Sequence, residues 1–320
     1  MARYPIPDRL LVAIGGNAVH PETTSGTVAE QKEYADRTAA SLLPLMRLGN
    51  ELVLTHGNGP VVGKIMMRQA IARHRVTPMS LDICVAHSQG GVAYLLLQAM
   101  ENALRAIGNM RNVVCLLTQV EVDADDPAFG NPTKPIGYFY SEDEAQALAR
   151  ETGWEMREDS GRGWRHVVPS PRPRHIADLA LVRDIASRGA VVIAGGGGGI
   201  PVLRLPDGTR TGVEAVIDKD LTSALMAGAL GIDTVMILTG VERVAVDFGT
   251  PAQRSLDSAT LAEIRRHRDD GQFPPGSMGP KIDAAIDFIE RGGRRVVIGP
   301  LDRAADALEG RTGTHIVADG

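Results

Sequence analysis

Short runs of β-branched and leucine residues recur along the chain at Leu10–Ile14, Leu52–Leu54, Val113–Leu117, Val191–Ile193, Val235–Leu238 and Arg295–Ile298. Most are separated by amphipathic stretches of helix length, with apolar positions returning every three or four residues. That alternation predicts an α/β fold on a mostly parallel sheet. Several runs end in glycine or small polar residues: Gly15-Gly16-Asn17, Thr55-His56-Gly57-Asn58-Gly59, Gly195 to Gly199 and Thr239-Gly240. In open α/β sheets ligands bind beyond the carboxyl ends of the strands, so these glycines are expected to mark one rim.

Residues 124–175 break the pattern. They hold six of the twelve aromatics and six of the nineteen prolines, with a glycine- and arginine-rich stretch at Asp159-Ser-Gly-Arg-Gly-Trp164. A loop of that length without structure of its own is uncommon in a compact domain, so an inserted, β-rich flap is expected there.

Composition narrows the function. With 34 basic and 39 acidic residues among 320, the formal charge is −5, and no basic stripe points to nucleic acid. The length suffices to bury a core without disulfides or a structural metal. Cys84 and Cys115 lack metal-ligand spacing and read as small core residues of a protein in the reducing cytoplasm. The Leu10–Ile14 run is too short for a signal segment, and the uncharged stretch from Gly189 to Leu203 contains five consecutive glycines and a proline, so no membrane span is expected.

Bare backbone N–H groups of a glycine loop entering a helix make an anion site, because unpaired donors and the helix dipole point the same way. Three such loops at successive strand ends favour a phosphate cradle over plain turns, and the amides of Asn17 and Asn58 can donate to anionic oxygens without adding charge. The usual fingerprints are absent: Val62 stands where Gly57-x-Gly59 would need its third glycine, and Gly63-Lys64 lacks the remaining positions of a P-loop. Two phosphate-bearing ligands fit such a rim.

Only five of the 34 basic residues are lysine: Lys32, Lys64, Lys134, Lys219 and Lys281. Where arginine is the default cation, a lysine marks a place that needs a compact ammonium rather than a planar fork. Lys32 and Lys64 read as solvated or snorkelling side chains. Lys134, Lys219 and Lys281 each sit beside proline, glycine or aspartate, in Asn131-Pro-Thr-Lys-Pro135, Ile217-Asp-Lys-Asp220 and Gly276-Ser-Met-Gly-Pro-Lys281. Phosphoryl transfer uses several cations and an orienting carboxylate to stabilise charge on the moving group, which is the chemistry this trio suggests. No Gly-x-Ser-x-Gly elbow is present, and His56 reads equally as a ligand contact or a structural residue.

With these segments assembled, and with Ser88-Gln-Gly90, Thr118-Gln-Val-Glu-Val122, Glu158-Asp-Ser-Gly-Arg-Gly163 and Val213-Glu-Ala-Val-Ile-Asp-Lys-Asp220 alongside them, the chain resembles the carbamate kinases of the amino-acid kinase family over almost its whole length. The resemblance implies a three-layer αβα sandwich on an open sheet of about eight mostly parallel strands, one domain over 1–320 with a protruding subdomain at about 124–175, and a cytoplasmic homodimer. The implied reaction is ATP plus carbamate to ADP plus carbamoyl phosphate, with Mg²⁺ carried mainly by the nucleotide phosphates, run toward ATP synthesis in arginine, agmatine or ureide catabolism. Other acceptors on the same fold, a small carboxylate, phosphate or phosphonate, and a silent nucleotide sensor are the alternatives. Carried over by position, Gly15, Gly16, Asn17, Gly57, Asn58 and Gly59 would hold the transferred group. Lys134, Lys219, Asp220 and Lys281 would be catalytic, and Asp218, Thr239, Gly240, Val241, Ser277 and Met278 would border the nucleotide. Val61 and His87 stand where the family more often has glutamine and methionine.

Overall fold

The computed structural model describes residues 4–20, 26–47, 49–159, 161–274 and 277–319, with backbone alone at Asn17. The first part of the chain forms β1 (Arg9–Ile14), α1 (Val28–Met46), β2 (Glu51–His56), α2 (Gly59–Ala72), α3 (Leu81–Ala106), β3 (Val113–Cys115) and β4 (Gln119–Val122). There follow β5 (Lys134–Tyr140), α4 (Glu142–Thr152), β6 (Met156–Glu158), β7 (Trp164–Val168), β8 (Pro173–Ile176), α5 (Leu179–Ser187), β9 (Val191–Ile193), β10 (Ile200–Arg204) and β11 (Arg210–Gly212). The last third contains α6 (Lys219–Leu230), β12 (Thr234–Thr239), β13 (Ala245–Val246), β14 (Arg254–Ser255), β15 (Ser258–Thr260), α7 (Leu261–Asp269), α8 (Gly279–Glu290), β16 (Arg295–Pro300), α9 (Ala304–Leu308) and β17 (Thr314–Val317).

Among the described residues the main sheet has eight strands in the order β15-β17-β16-β12-β1-β2-β9-β3. Every neighbouring pair is parallel except β16 with β17. All six apolar runs of the sequence lie in this sheet, although the run from Val113 leaves it after Cys115. Their composition explains their place, since a parallel strand covered by helices on both faces has no polar side to present. Leu10 through Ile14 are all fully buried and alternate between two cores. Leu11 and Ala13 belong to the core that contains Met226 of α6 and Phe288 of α8, while Leu10, Val12 and Ile14 belong to the one that contains Leu42 of α1, Leu96 of α3 and Leu308 of α9. The result is the mostly parallel α/β sheet that the alternation predicts, in the three-layer arrangement that the resemblance implies.

Among the described residues three smaller sheets stand apart from it. One is the short pair β13-β14, the second is β11-β10-β4-β8, and the third, β5-β7-β6, carries α4 against it. Helix α4 starts in a capping box, Ser141 with Glu144, and closes on Gly153 in the left-handed conformation. This aromatic-rich flap reaches back to the body where β5 crosses α2. The approach is backbone on backbone: a Cβ at Gly63 would lie 2.0 Å from the Cα of Gly137.

Two buried histidines give the fold an acid limit. His56, at the end of β2, is wholly buried, and burial drives its pKa down to about 4 against a weaker upward pull from the Gly57 carbonyl. His166 of β7 stacks on Trp154 with ring centroids 4.3 Å apart, and burial likewise lowers its pKa to about 4. Because the folded values lie below the unfolded value of 6.5, the unfolded chain takes up protons first as pH falls. Stability is therefore full above pH 6.5 and erodes between 6.5 and 4, by about 2 kcal/mol per histidine at pH 5. Urea midpoints at pH 7.5 and pH 5 measure this. His166→Phe, which keeps the ring stack, is expected to remove about half of the difference, and an unchanged difference would refute the assignment.

Candidate active site

The site is built at the carboxyl ends of β1, β2, β9 and β12. These strands are parallel neighbours, so the turns that follow them fall on one rim. Gly15 and Gly16 after β1, Gly57, Asn58 and Gly59 after β2, Gly197 after β9, and Thr239 and Gly240 after β12 all line one cleft of about 530 Å³. Asn58 precedes α2 without making a side-chain cap to it; Pro60 has no N–H and those of Val61 and Val62 donate to the Asn58 carbonyl at 2.9 Å, so the Gly59 N–H is the first-turn donor left for an anion. Asn17 belongs to the same turn as Gly16, but its side chain lies outside the described residues.

The bend after β9 is held by buried polar contacts. Gln89 of α3 donates from Nε2 to the Gly196 carbonyl at 2.8 Å and accepts the Thr118 N–H at 2.7 Å. Thr118 in turn accepts the Gly195 N–H at 2.9 Å, and the Thr222 hydroxyl donates to the Gly198 carbonyl at 2.8 Å. Gly197, with φ +68°, leaves room for the Asn58 amide, whose nitrogen would stand 2.3 Å from a Cβ there. His56 lies beneath Gly196, fully buried. Burial keeps it neutral near pH 7, so it is a structural residue and not a proton carrier for the cleft.

The lysines converge on the opposite wall. Asp218 is the N-cap of α6, accepting the Asp220 N–H at 2.9 Å, and its other oxygen accepts from Lys134 Nζ at 2.7 Å. Burial would raise the Asp218 pKa, but the charge and hydrogen bond of Lys134, with Lys219 behind them, hold it far below the usual carboxylate range. In the first turn of the helix, Asp220 is almost completely buried and bonds both Lys219 and, at 3.5 Å, Lys281 of α8. Lys281 also donates to the Ser277 carbonyl at 3.2 Å. The Lys219 ammonium is pushed below its ordinary pKa, chiefly by burial, with Asp220 opposing and the like charge of Lys281 assisting. Two carboxylates thus face three ammoniums, and the surplus positive charge points into the cleft.

Of the sixteen residues singled out from the sequence, thirteen line this cleft, Val241 and Met278 do not, and the Asn17 side chain lies outside the described residues. Val241 is exposed just past the rim, and Met278 packs partly against the core. Sequence reasoning missed two cations as site residues, Arg162 and Arg165 of the flap, which line the cleft with Asp159. Both guanidiniums bond Asp159, at 3.0 and 3.4 Å, and both lie over the Phe139 ring. Arg165 also donates to the Gly137 carbonyl at 3.0 Å. In a chain with 29 arginines, rarity could not single them out, and the glycine- and arginine-rich stretch with its Glu158–Gly163 motif pointed to the segment but not to these side chains.

Backbone donors on one side and ammoniums on the other suit a polyanion that bridges them, with a phosphoryl group between the two walls. Residues 8–300 match the amino acid kinase family. The carbamate kinase of Pyrococcus furiosus is 44% identical over 311 residues, covering 97% of this chain and 99% of its own. The carbamate kinase-like protein YahI of Escherichia coli is 44% identical over 313 residues, with 96% and 98% covered. The solved carbamate kinase from Giardia lamblia bound to citric acid superposes with a TM-score of 0.92 at 41% identity, covering 97% of this chain and 98% of that one. The same enzyme bound to AMP-PNP gives 0.88 with equal identity and coverage. A mostly parallel sheet with this rim, read with full-length relatives at this identity, places the chain in the amino acid kinase family, among the carbamate kinases.

Proposed function

We propose that the chain transfers a phosphoryl group reversibly between ATP and carbamate, giving ADP and carbamoyl phosphate. The observation that carries this reading is the Lys134–Asp218 and Lys219–Asp220–Lys281 array facing the glycine turns across one cleft. A carbamate oxygen attacks the γ-phosphorus, the bond from phosphorus to the β,γ-bridging oxygen breaks, and ADP departs with that electron pair. The attacking oxygen is already anionic, so no proton has to be removed, and the neutral, buried His56 is consistent with a site that works without a general base. Positioning and charge stabilisation then carry the rate. Lys219 and Lys281 neutralise nucleotide phosphate oxygens, Asp220 orients both, and Lys134 meets the transferred group from the flap. Thr239, Gly240, Val241, Ser277 and Met278 border the nucleotide.

The carboxylates that line the cleft, Asp159, Asp218 and Asp220, are each engaged by lysine or arginine. Among the described residues no cluster of three His, Cys, Asp or Glu could hold a metal alone. This donor set fits Mg²⁺ held by the nucleotide phosphates with Asp218 and Asp220 beside it. When bound, the cation would neutralise charge on the β- and γ-oxygens.

We also read the chain as a cytoplasmic homodimer working toward ATP synthesis in a catabolic route. Exposed Ile83 and Tyr94 give α3 apolar surface that a second copy could cover. Among the described residues no helix is long and apolar enough to cross a membrane. The deciding measurement of the reaction is ATP formation from ADP and carbamoyl phosphate with Mg²⁺. Rapid ATP formation is expected, whereas ADP binding without it would move the acceptor to another small anion.

A further inference from the structure

Ser88 of α3 touches no open part of the cleft, yet it fixes a residue that does. It is fully buried, and its hydroxyl donates to the Val85 carbonyl at 2.7 Å. A serine hydroxyl has one proton, so with that proton committed Ser88 can only accept from Asn58, whose Nδ2 stands 2.7 Å away. The direction of this bond sets the orientation of the Asn58 amide. Its nitrogen must face Ser88, which uses one of its two protons and leaves the other for a ligand in the cleft. Asn58 is itself only 3% exposed, between Ser88 and the Gly197 backbone.

We propose that Ser88 is a positioning residue for phosphoryl transfer: it holds the Asn58 amide with its N–H, and not its carbonyl oxygen, available to the transferred group. The inference rests on the kinase reading above. Without Ser88 the amide can turn over within the same volume, and a carbonyl oxygen facing a phosphoryl oxygen repels where an N–H attracts. The neighbouring Gln89, bound to Gly196 and Thr118, keeps the glycine bend in place independently, so loss of Ser88 alone leaves the cradle's backbone formed.

A double-mutant cycle on the full chain tests this, read by turnover of ADP with carbamoyl phosphate and by hydrogen exchange of the Asn58 side-chain amide in ¹⁵N spectra. Ser88→Ala is expected to lower kcat about 10-fold through misorientation, with the KM for ADP unchanged. Asn58→Ala lowers kcat about 10²-fold, as loss of one oxyanion donor does, and the double variant matches Asn58→Ala because Ser88 acts only through Asn58. The Asn58 amide exchanges slowly in the parent protein and at least about 10-fold faster in Ser88→Ala. An unaltered kcat in Ser88→Ala, or a further loss when it is added to Asn58→Ala, overturns the positioning role. If the parent chain does not use carbamoyl phosphate, the kinase reading fails by itself. The exchange measurement still decides the inference, since equal exchange in parent and Ser88→Ala removes its basis.

Discussion

Replacing Lys219 with alanine lowers kcat by at least ~10²-fold and leaves a folded protein, the usual scale for one lost contact to charge developing in a transition state. The fold survives because the deletion orphans no buried charge. Asp220, the almost fully buried partner, keeps Lys281 at 3.5 Å, and Asp218 keeps Lys134 at 2.7 Å. Removing Asp220 would be different, since it would leave the Lys219 and Lys281 ammoniums facing each other without the carboxylate they share. Lys219→Arg is not expected to restore turnover: the side chain is 12% exposed, and a planar guanidinium with five donors cannot occupy the space of a compact ammonium. Steady-state kinetics with circular dichroism on both variants provides the check. A kcat near the parent value in Lys219→Ala would remove this lysine from the reaction.

Gly63→Ala is expected to cost a similar factor from outside the cleft. In an exposed helix interior alanine is better than glycine by up to about 1 kcal/mol, so the substitution would ordinarily stabilise α2. Here the new methyl would stand 2.0 Å from the Gly137 Cα and 2.2 Å from its nitrogen, both backbone atoms that no rotamer change can move. Restoring ordinary contact requires β5 to retreat by roughly 1.5 Å, and overpacking of this kind costs about 1–3 kcal/mol, which outweighs the propensity gain. Lys134 starts the same strand, so the retreat draws its ammonium away from Asp218. A misplacement near 1 Å is worth about 10²-fold in rate, and kcat/KM should fall accordingly while ADP still binds. A Gly63→Ala protein with raised Tm and full turnover would show that the two backbones are not coupled to the chemistry.

Much of this was legible in the sequence because the strongest signals are also physically the simplest. A fully buried parallel strand has to be apolar throughout, and all six such runs became sheet strands. The main-sheet strands that were missed, Ser258–Thr260 and Thr314–Val317, are three and four residues long and carry serine, threonine and histidine. They are held in place by pairing with one another and with β16 more than by pattern. Lys134, Lys219 and Lys281 stood out because this chain otherwise uses arginine, and the structure brings all three to one cleft. The same bias hid Arg162 and Arg165. Nor could Ser88 be read: the acceptor role of a hydroxyl depends on a carbonyl one helical turn away and an amide thirty residues back, a relation that exists only in three dimensions.

The position of β1 also shapes how the molecule is made. Leu10–Ile14 pair on one side with Leu52–His56, which follow soon in the chain, and on the other with Thr234–Leu238, more than two hundred residues later. At ~5–20 residues per second, the interval between synthesis of β1 and of β12 is about 10–45 s. For that time one edge of the sheet's central strand lacks its partner, with Leu11 and Ala13 not yet covered by α6 and α8. Completion of the centre therefore waits on the last third of the chain, and chains truncated before Thr234 carry an open, apolar sheet edge that invites association with other unfinished chains.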